Sequence, residues 1–211
     1  MSDFRFNCKL IACIVMLAFL AGCGSGAAPT ATLAPTLTPG VEGIFVFDPP
    51  GQINDFTLTN QSAKPMHLTD LKGKLTLITF GYTHCPDVCP ITLARFRQIK
   101  TDLDQSAAQV NFVFVSVDGR RDTPKRLMDY LKQFDPAFIG LTGDEETVRQ
   151  VAKDYGAVFY AEGGSSVKND YTVTHTNSSY LLDRDGQLRR KYSYDLQHDT
   201  IAADIKQALQ S

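Results

Sequence analysis

Apolar positions along this chain fall into two patterns. Two runs are short and almost unbroken: Leu75-Thr76-Leu77-Ile78-Thr79-Phe80, and the stretch from Val110 to Val117. Their length and β-branched content predict central strands buried on both faces. Elsewhere the apolar residues are spaced. Ile91, Leu93, Ala94, Phe96, Ile99 and Leu103 recur at a helical period, predicting a helix that begins near Cys89. Thr123-Pro124 places a proline at the first position of a second helix carrying Leu127, Tyr130 and Leu131. Thr142 to Asp144 supply caps for a third, which runs to about Tyr155 and stops at Gly156. A final amphipathic helix is predicted from about Thr200 to Leu209.

Turn residues place the remaining strands. Phe56-Thr57-Leu58 and Pro65-Met66-His67-Leu68 flank Asn60-Gln61-Ser62-Ala63, a hairpin signal. Asn177 to Leu182 and Gln187 to Tyr192 flank Asp183-Arg184-Asp185-Gly186, a second and stronger one. Phe138 to Leu141 reads as a short strand between them. Strands alternating with helices and closed by a hairpin define an α/β domain over residues 44–211.

The N-terminal pattern is different. Arg5 and Lys9 precede an apolar core from Leu10 to Leu20, shorter than the roughly 20 residues of a bilayer span. Small residues then lead to a cysteine in Leu20-Ala21-Gly22-Cys23. Residues 1–22 therefore read as a secretory signal peptide. Its ending is similar to the lipobox of bacterial lipoproteins, in which the cysteine is acylated and becomes the first residue. That resemblance implies a lipid on Cys23, and an exported head facing the periplasm or another extracytoplasmic space. An uncleaved anchor helix is the competing reading; both tether the protein to a membrane. Residues 23–43 are mostly Ala, Thr, Pro and Gly, too poor in large apolar groups to fold, and read as a tether.

Composition narrows the function. A formal charge of −2 over 211 residues gives no basic face for nucleic acid. Of the five cysteines, Cys8 and Cys13 leave with the leader and Cys23 takes the lipid, so Cys85 and Cys89 are the expected free thiols. Spaced i, i+4 at a helix start, they can form a disulfide or bind a soft metal. A purely structural disulfide closing so small a loop would contribute little stability. Pro90 sits awkwardly for a helix interior, so Pro86 to Val88 are expected in a turn or short 3₁₀ segment. His175, in Thr172-Val173-Thr174-His175, is unremarkable alone. With two thiolates it would suit Cu(I), and imidazole also accepts Cu(II), whereas structural zinc usually wants a fourth ligand. His84 is adjacent in sequence but is expected to diverge; His67 and His198 read as surface residues.

Gly81-Tyr82-Thr83-His84-Cys85-Pro86-Asp87-Val88-Cys89-Pro90 resembles the hallmark of the SCO/SenC family of copper-handling proteins. Ser116-Val117-Asp118-Gly119-Arg120-Arg121-Asp122-Thr123-Pro124 agrees with it, as do Val173-Thr174-His175 with Tyr180-Leu181-Leu182-Asp183 downstream. The resemblance implies a thioredoxin-like fold: a central mixed sheet flanked by helices, with an N-terminal hairpin extension. It implies one copper ion on Cys85, Cys89 and His175, the histidine on a loop facing the dithiol. Asp87 and Asp118 would lie near the ion or face a partner. Gly119 stands where the family commonly has proline, a change expected to loosen that loop without removing a ligand.

The implied function is a copper metallochaperone for the dinuclear centre of a haem-copper cytochrome oxidase. Its partners would be the copper-receiving oxidase subunit and another copper chaperone. The alternative is a thiol–disulfide reductase in which Cys85 and Cys89 keep the copper-ligand cysteines of a partner reduced. Peroxiredoxin chemistry lacks its threonine, since position 82 is Tyr, and general disulfide oxidoreductases normally show Cys-x-x-Cys.

Overall fold

In the computed structural model the run from Leu75 has no exposed residue, as a strand flanked on both sides must. The model describes residues 36–37, 41–162 and 171–210. The leader over 1–22, Cys23 and most of the tether over 23–43 lie outside the described residues. Among those described, no helix is long and apolar enough to cross a membrane.

The chain opens with strands β1 (Thr36–Leu37), β2 (Ile44–Gly51), β3 (Thr57–Asn60), β4 (Pro65–His67) and β5 (Leu75–Gly81). Helix α1 (Val88–Leu103), strand β6 (Val110–Ser116), helix α2 (Pro124–Leu131), strand β7 (Ile139–Thr142) and helix α3 (Glu145–Asp154) follow. Then come β8 (Phe159–Glu162), β9 (Thr172–His175), β10 (Ser179–Leu182), β11 (Leu188–Tyr192) and α4 (His198–Ala208). Nine strands form one sheet in the order β1-β2-β11-β10-β5-β6-β7-β3-β4; β8 and β9 form a separate two-stranded ribbon. The β5–β6 and β6–β7 pairings are parallel and all others antiparallel, so the sheet is mixed.

Both faces of β5–β6 are covered. Phe112 and Phe114 of β6 point to one face, where they meet Phe96 of α1 and Tyr130 of α2 at ring separations of 5.9 and 6.2 Å. Phe80 points to the other, against Tyr155 after α3 and Tyr180 of β10, at 5.3 and 6.1 Å. The carboxyl ends of β5 and β6 align, Gly81 opposite Ser116. In sheets with parallel strands this edge is where ligand sites form. The loops carrying Cys85 and Asp118 both leave from it.

The predicted hairpins are present as β3–β4 and β10–β11, the first extending the sheet beyond β7. Helix α1 begins at Val88, and Pro90 falls in its first turn, where the missing N–H has no intrahelical acceptor to lose. Thr123 and Asp144 cap α2 and α3 through side-chain oxygens that accept from Arg126 and Thr147 backbone N–H groups. Strand β1, which pairs with β2 from inside the stretch read as a tether, was not predicted, nor were strand β2 and the β8–β9 ribbon. Strand β2 contains Asp48, Pro49 and Pro50, which obscure its pairing with β11. The β8–β9 ribbon buries one residue per strand, Phe159 and Val173, with Tyr160 to Glu162 all exposed, so it carries too short an apolar pattern to read.

One expectation is corrected by packing. Gly119 does not loosen its loop: a Cβ there would lie 1.9 Å from the Gly143 carbonyl oxygen. The absent side chain lets the loop after β6 press onto the backbone after β7.

Candidate metal centre

Three ligand atoms meet at the β5 edge. Cys85 lies in the turn that follows the strand, Cys89 is the second residue of α1, and His175 ends β9. Their sulfurs and an imidazole nitrogen all lie within 4.8 Å of one another. The family-derived expectation of a loop histidine is thereby corrected, because His175 is the last residue of a strand, paired with Phe159 of β8. The ribbon fixes its backbone where a loop would leave it loose. Both cysteines are free thiols, Cys89 buried and Cys85 partly exposed.

Local chemistry explains this placement. Gly81 ends β5 without a side chain, and a Cβ there would sit 3.0 Å from the Cys89 sulfur and 2.7 Å from the Phe114 ring. Glycine makes the space that the sulfur fills. The Cys89 backbone N–H donates to the Cys85 sulfur at 3.4 Å, one of the unpaired donors of a helix start. The Cys89 sulfur lies 3.4 Å from His175 Nε2. His175 Nδ1 is 3.1 Å from the Thr176 carbonyl, which can only accept. Nδ1 therefore carries a proton, and Nε2 is the nitrogen that faces the sulfurs.

The two thiols are electrostatically unequal. A hydrogen bond from the Cys89 thiol lowers Cys85 to about 4, aided by His175 and by backbone N–H groups of Asp87 and Cys89, against the opposing effect of burial. Cys89 is pushed upward by donating that bond and by its own burial. Metal-free and reduced, the pair is one thiolate and one thiol. A soft cation bound by both sulfurs has the Cys89 proton to displace.

The other sequence candidates separate clearly. Asp87 is exposed at the start of α1, and its side chain does not cap the helix. Asp118 is 4% exposed and fully engaged. Its carboxylate accepts from Arg121 Nε at 2.5 Å and from the Tyr171 hydroxyl at 2.6 Å. His84 turns away from the dithiol toward Thr83 and Asp122, with Nδ1 3.6 Å from the Asp122 carboxylate. It supplies no fourth ligand to the triad. His67 contacts Thr57, and His198 contacts Asp102, both far along the chain from the triad.

His84, Asp118 and Asp122 also bring ligand atoms within 4.8 Å of one another. Their oxygens are already committed. Arg121 places a cation on Asp118, while Thr83 and Ser116 hydroxyls and the Thr83 N–H satisfy Asp122. This group braces the loops; a second ion would have to displace the guanidinium. Sequence reasoning missed Tyr82, Thr83, Arg121, Asp122 and Tyr171 as contributors. The available signal was the i, i+3 charge pair Asp118–Arg121 in a loop following a buried strand.

A model of the family described as SCO1/SenC matches residues 48–210. The chain belongs to the SCO1/SenC family. An SCO2-like protein of Rickettsia felis is 38% identical to it over 142 residues, which cover 67% of this chain and 69% of that one. The structure of Bradyrhizobium japonicum ScoI with copper bound superposes with a TM-score of 0.67 at 39% identity, covering 74% of this chain and 99% of the other. BsSco, whose structure identified a disulfide switch, is described as a member of the Sco family of cytochrome c oxidase assembly proteins. It matches with a TM-score of 0.62 at 26% identity, covering 75% of this chain and 94% of that one. These relatives fit the thioredoxin-like α/β fold described above.

Proposed function

We propose that this SCO1/SenC protein is a copper metallochaperone for assembly of the dinuclear copper centre of a haem-copper oxidase. It holds one ion as cargo on Cys85, Cys89 and His175. The observation that carries this reading is the convergence of two sulfurs and an imidazole nitrogen within 4.8 Å. Two thiolates and one imidazole satisfy Cu(I), which accepts low coordination, and the imidazole keeps Cu(II) accessible. A copper-bound ScoI of the same fold supports the choice of metal. The thiol–disulfide reductase reading is weaker, because thiol exchange does not require the imidazole that stands 3.4 Å from the buried sulfur.

Exposure indicates how the ion leaves. Cys89 is 2% exposed, whereas Cys85 is partly open and flanked by exposed His84, Pro86 and Asp87. An acceptor ligand reaches the ion from the Cys85 side, so exchange breaks the Cys85 bond first and the buried Cys89 bond later. The copper-receiving oxidase subunit is the acceptor in this reading, with Asp87 on the approach. A lipid on Cys23 and a tether over 23–43 would hold the head at the membrane that contains the acceptor, raising its effective concentration there.

Copper loading of the reduced full chain tests this. Wild type should bind one Cu(I), and His175→Ala should bind about 10–100-fold more weakly, a range typical of losses around a metal. Unchanged affinity in His175→Ala, with oxidase activity retained in cells, would remove the three-ligand site. In the same cells Cys23→Ser should leave copper binding intact and move the chain to the soluble fraction; retention in the membrane would favour an anchor helix.

A further inference from the structure

His175 and the dithiol arrive on different parts of the molecule. The cysteines belong to the nine-stranded sheet and α1, while the histidine sits on a ribbon hydrogen-bonded to neither edge of that sheet. Something has to set the distance between them. The loop after β6 touches both arms.

Toward the histidine, Asp118 and Arg121 grip Tyr171, the residue just before β9. The Tyr171 hydroxyl donates to Asp118 at 2.6 Å, and Arg121 Nη1 donates to the Tyr171 carbonyl at 2.9 Å. The guanidinium also lies over the Tyr171 ring, 3.7 Å from its centroid, and 5.7 Å from that of Tyr82. Tyr82 in turn meets the His175 imidazole edge-on at 6.0 Å. Toward the cysteines, Asp122 accepts from the Thr83 N–H at 2.8 Å and the Thr83 hydroxyl at 2.6 Å, two residues before Cys85. The two aspartates are joined by the Asp122 N–H, which donates to the Asp118 carbonyl at 2.9 Å.

We infer that the Asp118–Asp122 loop is a positioning device for the copper site, in which Arg121 clamps Tyr171 and thereby sets His175 over the dithiol. Arg121 touches no ligand atom; it acts through Tyr171 and Tyr82. Arginine rather than lysine suits the role, because a planar fork bonds a carboxylate and a carbonyl while stacking on a ring. Asp118 is buried with it, 2% exposed on its side chain against 9% for Arg121. An ion pair desolvated on a loop next to a metal site is costly to maintain for stability alone. The inference rests on the three-ligand reading for its copper consequences, but its geometric content does not need the metal.

Nuclear magnetic resonance of the reduced, metal-free full chain separates the two. In Tyr171→Phe, which keeps the ring and loses only the hydroxyl, and in Arg121→Lys, the His175 and Tyr82 ring signals should move. Those of His198 should stay in place, which partial unfolding would not allow. Copper readouts follow. Both variants should weaken Cu(I) binding, up to about 10–100-fold for Arg121→Lys, the range for groups that orient ligands. Arg121→Lys combined with His175→Ala should be no weaker than His175→Ala alone, since both act on one ligand. Unmoved His175 signals in both variants would overturn the inference whatever the copper result, as would fully multiplicative losses in the double variant. Failure of the functional reading looks different: His175→Ala would bind copper like wild type while the His175 signals still respond to the clamp.

Discussion

The two arms of the proposed copper site differ in how they are built. The dithiol arm grows out of β5, whose residues are all buried, and α1, which adds Leu93, Phe96 and Ile99 at 1% exposure or less. The histidine arm is a two-stranded ribbon with Tyr160 at 55% exposure and Val158, just before it, at 67%, anchored mainly through Phe159, Val173 and the Tyr171 clamp. A lone two-stranded ribbon is marginal in water. The site therefore joins a rigid half to a half that depends on a handful of contacts. Metal capture needs the first, since sulfurs out of register would lose the ion. In the proposed release, where the Cys85 bond breaks first, the imidazole bond held by the weaker frame is the next to yield.

The largest expected effect tests this asymmetry through stability. Phe80→Ala removes a ring packed between Tyr155 and Tyr180 and should cost about 3–5 kcal/mol. Val173→Ala deletes a buried residue of the ribbon and should cost less than about 2 kcal/mol, because the ribbon has less packed around it. Urea midpoints of the metal-free chain measure both. Equal losses would mean that the ribbon belongs to the cooperative core, and the contrast between the arms would disappear.

A smaller effect sharpens the rigid half. Gly81→Ala drives a methyl against the Phe114 ring and the Cys89 sulfur. Overpacking of a filled core costs about 1–3 kcal/mol, and here part of that strain falls on a proposed metal ligand. Copper affinity should drop with stability. Thr172→Ala, on the exposed face of the ribbon, should change neither. If Gly81→Ala lowers stability and leaves copper affinity untouched, the dithiol is less tightly framed than its contacts imply.

The same contrast governs what could be read from sequence. Strands β5 and β6 announced themselves as unbroken apolar runs because both faces are buried, and α1 showed its period because one face is. Cys85 and Cys89 were legible for the same reason: they follow directly from those elements, and turn chemistry placed Pro86 and Pro90. The ribbon left no such trace. With only Phe159 and Val173 buried, each strand offers a single apolar anchor, too few for a period to show, and His175 could be placed only through its resemblance to a family. Arg121 and Tyr171 were invisible because their partners lie 50 residues apart, a pairing that only the folded chain displays.

The smallest effect asks whether the ribbon influences the dithiol at all when no metal is present. Cys85 is lowered from an ordinary thiol value to about 4, first by the hydrogen bond from Cys89 and, after opposing burial, by His175. The sign is that of a thiolate favoured by donors, so removing a donor must raise the value. In the reduced, metal-free chain, alkylation of Cys85 should hold nearly constant as pH falls from 8 to 5, and be halved close to pH 4, since the thiolate is the reactive form. Cys89→Ala should move that midpoint far up toward the ordinary thiol range, roughly 8.5. His175→Ala should move it in the same direction by less, because the imidazole is the lesser donor. Should His175→Ala shift the midpoint as far as Cys89→Ala, the ribbon would control the thiolate as strongly as the helix does. A tenfold fall in rate per pH unit already between 8 and 5 would mean the thiolate is not held in place by either arm.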